Sequence, residues 1–354
     1  MTDVDVNNLL PSRRYRTHIK KARDKLTWKP KRLYGYIGDK KVRLDRDSKA
    51  NRERMKRAPL PTQSQMLPPR GVHLNDMGDE MSSARTSKST YTQGHSASVV
   101  ASHTSRNVEN SASFLLPHLK PHYKIVDLGC GPGTITRGFG SFVPQGFVTG
   151  IDSADTVIDQ ARSHAPQTEY PNLDFRVGDI TGRLPYDDNS VDVVYTHMTL
   201  LHVPSPGQVI AEARRILKPG GMLAMREADH AEWEPSTPAL QQYNKLLFDF
   251  ARLTGAQGAG AGRRLHLWAS QAGFERSKMS IGAGTTVYTA PDESKWWADV
   301  HIGRLEGEIG EKWLENKLVD SQEDIENMKA ALKTWKESDN AWYGGLQGEV
   351  ICWK

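Results

Sequence analysis

Cysteine is close to missing from this chain of 354 residues, where only Cys130 and Cys352 occur. Two thiols so far apart give neither a disulfide framework nor the paired spacing of a structural zinc site, which fits a reducing compartment. Long apolar runs are missing as well. No stretch approaches the roughly 18 residues that cross a bilayer, and the N-terminus has no apolar signal core. The expectation is a soluble, cytoplasmic protein with no membrane span. Acidic residues are scarce at one end: residues 11–57 hold 19 Lys/Arg against 5 Asp/Glu, a balance of +14 in a chain of net charge +5, so the remainder sums to −9. Periodic apolar positions are also sparse up to residue 90, where Pro, Ser, Asn and Gln crowd "RAPLPTQSQMLPPRG" and "SSARTSKSTYTQG". Such a stretch cannot bury enough apolar surface to offset its ordering entropy, so residues 1–90 are expected to form a basic, largely disordered arm.

Within the arm, "RLYGYIGDKKVRL" has two β-prone runs around a Gly38-Asp39 turn signal and predicts a hairpin. Basic residues interleaved with Trp28, Tyr34 and Tyr36 have the makeup of a segment that tracks a phosphate backbone and stacks on bases. A solvated charged tail, or a nuclear-import address, has the same makeup.

From about residue 95 the texture changes. Val108, Ala112, Leu115 and Leu116 fall at the spacing of one helical face before Pro117. Strands are expected at "KIVDL" (124–128), "FVTGI" (147–151), "LDFRV" (173–177), "VDVVY" (191–195) and "MLAMRE" (222–227), with helices near Asp155–His164 and Pro206–Leu217. This alternation predicts an α/β fold, a doubly wound and mostly parallel sheet covered on both faces, with the ligand beyond the carboxyl ends of the strands.

The stretch "IVDLGCGPGTIT" at that end of the first such strand narrows the ligand. A dinucleotide fingerprint built on Gly129 and Gly131 needs a third glycine where Thr134 stands. The actual pattern, Asp127-x-Gly129-x-Gly131-x-Gly133, puts a carboxylate where a diphosphate would be repelled and a cationic ligand welcomed. Asp152, with Ser153 beside it, ends the second strand and suits ribose hydroxyls. Asp179 after the third suits an adenine amino group, and Ile180 offers its ring an apolar wall. Ribose, adenine and a cationic amino-acid end describe S-adenosylmethionine better than a nicotinamide dinucleotide.

Taken in order, "VDLGCGPGTIT", "GID", "RVGDI", "LPYDDNSVDVVYTHMTLLHV", "RILKPGGMLAM" and "WASQAGF" resemble the class I S-adenosylmethionine-dependent methyltransferases, and most closely their quinone-biosynthesis-like branch. The resemblance covers residues 91 to about 290. It implies a Rossmann-like seven-stranded sheet in which Asp127, Gly129, Cys130, Gly131 and Gly133 surround the methionine part of the cofactor, Asp152 and Ser153 hold the ribose, and Asp179 and Ile180 hold the adenine. It also implies that Tyr91, Gln93 and His95 of "YTQGH" form a lid. Three parts are expected: the arm (1–90), a methyltransferase core (91–290), and a helical cap with a terminal strand (291–354).

A sulfonium methyl is already activated, so such an enzyme mainly aligns the acceptor and excludes water, with a base needed only where the acceptor carries a proton. His197, after the fourth strand, is the first candidate base and a cofactor neighbour; His202 lies one turn on. "READHAEWE" places Glu227, Asp229 and His230 at the same rim, with Asp229 and His230 as further catalytic candidates and Glu227 as a substrate contact. Cys130 is not expected to act as a nucleophile or metal ligand, because no second cysteine or histidine cluster supports it, and no metal is expected.

Residues 232–262 read as helical, "RRLHLWASQAGF" as the last helix of the sheet domain, "ERSKMSI" as a sixth strand and "GEVICWK" as a seventh, antiparallel one. Residues 292–343 read as helical and tryptophan-rich. The tryptophans there, Trp296, Trp297, Trp313 and Trp335, can wall an apolar substrate pocket, with Trp296 and Trp297 the candidate substrate contacts, although core packing is the more frequent role of such residues. The leading expectation is methyl transfer to a small, apolar or aromatic metabolite, in secondary metabolism. A quinone-ring methylase, an RNA methyltransferase or RNA-binding protein recruited by the arm, and a regulatory protein that has lost catalysis are the alternatives.

Overall fold

The computed structural model describes residues 33–37, 40–44, 102, 103, 105–258 and 260–354, and the chain divides into two compact units, Met1–Gln65 and Met66–Lys354. In the first unit β1 (Leu33–Ile37) and β2 (Lys40–Leu44) pair antiparallel, with Leu33 opposite Leu44 and Ile37 opposite Lys40. That is the hairpin the two β-prone runs predict. The expected disorder of the remaining arm and the expected lid residues Tyr91, Gln93 and His95 lie outside the described residues.

In the second unit the short helix α1 (Val108–Ser111) leads to β3 (Lys124–Leu128), α2 (Thr134–Phe142), β4 (Phe147–Asp152), α3 (Asp155–His164), β5 (Leu173–Val177), β6 (Val191–His197), α4 (Pro206–Ile216) and β7 (Leu217–Glu234). Then follow α5 (Pro238–Asp249), α6 (Leu265–Gln271), β8 (Met279–Tyr288), α7 (Pro291–Glu306), α8 (Glu308–Glu315), α9 (Gln322–Lys336) and β9 (Trp342–Trp353). The seven strands lie in the order β5-β4-β3-β6-β7-β9-β8. β3 to β7 run parallel, and β9 is antiparallel to both of its neighbours.

Side chains alternate across a strand, and β3 shows the result. Val126 and Leu128 join a core under α4 and α6, while Ile125 joins one under α1, α2 and α3. Asp127 faces the second side, toward α2. A third core, around Trp233, Tyr243, Trp313 and Trp335, fills the space between the outer ends of β7 and β9 and the helices α5 and α7 to α9.

Five expectations are corrected. The helical face starting at Val108 stops at Ser111, although Ala112 and Leu115 stay fully buried in a following turn. The strand expected over 222–227 extends to Glu234, because β9 pairs with it as far as Glu234 opposite Trp342. The first residues of the span read as helical from 232 therefore belong to the sheet, and α5 starts only at Pro238. Of "ERSKMSI" only the last three residues are strand, because Arg276–Lys278 form a helical turn and β8 runs from Met279 to Tyr288, while β9 begins six residues before "GEVICWK". The span 292–343 is three helices, and its last residues already belong to β9, which sits inside the sheet between β7 and β8.

Candidate functional site

The loop between β3 and α2 is built from three left-handed glycines, with φ of +72° at Gly129, +55° at Gly131 and +76° at Gly133. They serve different purposes. A Cβ on Gly129 would run into the side chain of Thr199, and one on Gly133 into the Phe175 ring and Ala161. A Cβ on Gly131 would meet nothing within 4 Å. Two glycines thus let elements pack closely, and the third leaves backbone facing open space. The loop is tied to β4: the amides of Gly129 and Cys130 donate to the Ile151 carbonyl at 2.8 and 3.0 Å, and the Gly131 amide donates to Asp152 Oδ2 at 3.0 Å. The other oxygen of Asp152 accepts from the Ala154 amide at 3.2 Å, and Ser153 beside it is exposed.

Asp127 lies behind this loop, 2% exposed, accepting a 2.6 Å hydrogen bond from Thr136 Oγ1 of α2. Burial pushes its carboxyl up to about 7, against the pull of the Thr136 hydroxyl, with the Asp152 charge adding to the rise. Its oxygens therefore face the protein and brace the loop. The Cys130 thiol is pushed well above its usual range by burial and the charges of Asp127 and Asp152, so it is an inert packing group. After β5 the Gly178 amide donates to the Asp152 carbonyl at 2.9 Å, placing the next loop alongside the first. There Asp179 is exposed, with Oδ1 accepting from the Thr181 amide and hydroxyl, while Ile180 is buried in the sheet core.

At the end of β6, His197 is 8% exposed, with its ring parallel to that of Tyr195 at 6.5 Å. Burial, then the charges of Arg106, Arg226 and His103, hold it well below the usual histidine range, so the ring is neutral. Nδ1 has no hydrogen-bond partner. A histidine so placed is a poor proton acceptor near neutral pH, against the expectation of a base, though it remains suited to a neutral hydrogen bond. His202, in the turn Leu200–His202, is lowered to about 3, again mainly by burial.

The rim after β6 also holds residues the sequence did not single out. Met198 sits at φ +53°, a left-handed position that a side chain adopts only when its surroundings enforce it. Thr199 bridges two loops, its hydroxyl 3.4 Å from the Gly129 carbonyl and 3.1 Å from that of His197. Glu227 enforces this turn. It is fully buried on β7, and it accepts from the amides of Thr199 and Leu200 through Oε1 and of Leu201 through Oε2. It is a brace for the backbone and not the substrate contact expected of it.

Asp229 and His230 are not brought to this rim. "READHAEWE" is strand, not loop, so neighbouring residues point to opposite faces. Asp229 stands at an irregularity in the β7–β9 register and accepts from the Arg263 amide, Nε and Nη2 at 2.7–2.9 Å, which pulls its carboxyl below the usual range. His230 is exposed and bonds Glu232 at 2.7 Å. Both also border a cleft of about 290 Å³ along α5, with Trp233 and Asn244. The catalytic roles expected of the two are not supported. Trp296 and Trp297 lie on α7 against Tyr288, and Trp297 also packs on His301 and Tyr343. Among the described residues no cluster of His, Cys, Asp and Glu is arranged to hold a metal ion, and no helix is long and apolar enough to cross a membrane.

Comparison with known proteins gives the family. A family model described as a methyltransferase domain matches residues 119–273. The chain is 32% identical to a probable methyltransferase, ltbC, of Aspergillus luteorubrus, over 75% of this chain and 97% of that protein. It is 29% identical to an uncharacterized methyltransferase, C1B3.06c, of Schizosaccharomyces pombe, over 74% of this chain and 95% of the relative. A solved putative methyltransferase from Bacillus halodurans is 17% identical, with a TM-score of 0.46 over 68% of this chain and 96% of that one.

Proposed function

The chain belongs to the class I S-adenosylmethionine-dependent methyltransferases, and from that premise we propose that it methylates a small molecule held between the carboxyl rim of the sheet and the aromatic cap. The observation that carries the reading is the pairing of Gly131 and Asp152. One presents backbone to open space; the other stands next to it as a hydrogen-bond acceptor at the end of the neighbouring strand. The residues present fit the cofactor in this reading: Asp152 with Ser153 for the ribose hydroxyls, Asp179 for the adenine amino group and Gly131 for the methionine end, while Ile180, packed in the sheet core, supports the adenine loop from below. Asp127 and Cys130 support the loop from behind. When bound, the cofactor supplies a methyl carbon that the acceptor's lone pair attacks while the carbon–sulfur bond breaks and its electrons stay on sulfur.

The chain's own contribution is alignment. Thr199 and Glu227 fix the turn beside the glycine loop, and His197 offers a neutral hydrogen-bonding edge near the reacting groups. His197 is held neutral, and Glu227, though burial raises its carboxyl to about 7, is fully buried with its oxygens on three backbone amides, which favours an acceptor that reaches the site already deprotonated. Calorimetry with S-adenosylhomocysteine tests the reading. We expect binding by the wild type and a loss of about tenfold or more in Asp152→Ala, since hydrogen bonds to a charged group are each worth about 1.5–3 kcal/mol. Folded wild-type protein that gives no heat with this by-product contradicts it.

A further inference from the structure

The cap contains a buried positive charge that the methyl-transfer site leaves without a partner. Arg304, near the end of α7, is 8% exposed. Its Nη2 donates to Ser102 Oγ at 2.9 Å, and its Nε meets no acceptor. The other buried guanidinium of the core, Arg226, has Glu349 at 3.4 Å, and Asp229 has Arg263; among the described residues no carboxylate forms such a pair with Arg304. Burying a guanidinium without an anion is costly, and a ligand that supplies the counter-charge offsets that cost.

A second observation points the same way. Trp297, His301 and Arg304 stand at i, i+4 and i+7 on α7, hence on one face. Each carries a buried nitrogen without a partner among the described residues: Trp297 Nε1, His301 Nε2 and Arg304 Nε. Burial holds His301 neutral, and the Tyr243 hydroxyl bonds its Nδ1; because Arg304 also hydrogen-bonds Tyr243 and can only donate, we assign the hydroxyl as donor to Nδ1, which puts the ring proton on Nε2. Three donors in line with no acceptor match a ligand rich in acceptor oxygens. Around them stand planar apolar walls, with Trp297 4.8 Å from Tyr288 and 5.1 Å from Tyr343, and Trp233 5.2 Å from His301. The charge of Arg304 reaches Tyr243, Tyr343 and His202, and that of Arg106 reaches His202, Tyr288 and Tyr343, so the donor row borders the β6 rim.

We propose that the methyl acceptor is an organic acid with a planar, unsaturated or aromatic body, whose carboxylate docks on Arg304 and His301 while the body lies against Trp297, Tyr288 and Tyr343. This rests on the methyltransferase reading and supplies its substrate class. The guanidinium fork gives a carboxylate two parallel hydrogen bonds, which an amide or ester of the same body cannot match.

The test uses the full chain saturated with S-adenosylhomocysteine and follows tryptophan fluorescence and heat. The probes are a panel of aromatic and unsaturated carboxylic acids, each paired with its neutral amide. Labelled cofactor is offered in parallel to a metabolite extract split on an anion exchanger. We expect acids to bind at least about tenfold more tightly than their amides. Arg304→Gln should abolish that preference and Arg304→Lys keep part of it, and label should enter the retained, anionic fraction. By-product binding should stay within about twofold in both variants. If Arg304→Gln does not fold, the Arg304→Lys comparison carries the same prediction as a partial loss. Equal binding of acids and amides, acceptors found only in the unretained fraction, or no engagement of any acid by the wild type overturns the proposal. So does a fall in S-adenosylhomocysteine affinity that matches the loss of acid binding, because Arg304 then serves the cofactor's own carboxylate. Wild-type protein that binds acids through Arg304 but never the by-product would instead refute the methyltransferase reading and leave the acid site standing.

Discussion

At the scale of single residues, the three glycines of the loop are alike in sequence and φ but not in surroundings. Gly131→Ala should lose only about 1 kcal/mol of stability, the strain of a left-handed alanine, yet weaken S-adenosylhomocysteine binding about tenfold, since its methyl group enters the ligand's space. Gly133→Ala should cost about 2–3 kcal/mol, because its Cβ would lie 2.6 Å from the Phe175 ring. Denaturant unfolding and calorimetry on the two proteins separate these effects, and equal losses of stability would contradict the assignment. Asp127 carries a pH signature. Its carboxyl rises from 3.8 to about 7 on folding, so the native state holds the proton more tightly than the unfolded chain. Its contribution to stability is fully present below pH 4 and declines as pH rises to 7. Asp127→Asn removes that decline. The variant should therefore gain on the wild type by roughly 3 kcal/mol between pH 4 and pH 8, measured as a difference of unfolding free energies. The depressed histidines His197, His202 and His301 act oppositely below about pH 6.5, but they cancel in that difference. A pH-independent gap between the two proteins would show that Asp127 is ionised throughout. The carboxylate at 127 was readable in the sequence; that it points at Thr136 was not, since that follows from the face of β3 it occupies.

Among elements, the turn after β6 depends on a strand that comes later in the chain. Glu227 of β7 accepts three consecutive amides from Thr199 to Leu201, and only tertiary pairing of β6 with β7 brings it there. Glu227→Gln puts an amide N–H against those donors. We expect a loss of about 2–3 kcal/mol and faster hydrogen exchange at 199–201 than elsewhere in the sheet. Uniform exchange rates would argue against the brace. The long β7 explains why "READHAEWE" misled: three ionisable residues close in sequence looked like one cluster, and the register irregularity at Asp229 together with the alternation of the strand sends Glu227 to Thr199, Asp229 to Arg263 and His230 to solvent.

At the level of the whole molecule, the terminal strand holds the sheet together. Among the described residues β8 pairs only with β9, and β9 pairs with β7 along most of its length. A chain ending at Asn340 should be insoluble or show no cooperative melting transition, because it leaves the edges of β7 and β8 open. Removing residues 1–65, which form their own compact unit, should leave by-product binding and melting temperature unchanged. If the basic arm binds RNA, the same deletion abolishes salt-sensitive RNA binding, and filter binding at two salt concentrations reads this out.

What the sequence determined by itself was the strand and helix alternation, the glycine loop and the acids at the ends of β4 and β5, because those signals are local: a period, a turn residue, a spacing. What only the tertiary structure decided was the use of each charge. Glu227 looked like a rim acid and Asp229 like a catalytic group, and Arg304 was not singled out at all. Burial and partners come from strands and helices far apart in the chain, and the cost of desolvating a charge, which fixes its role, exists only once they pack.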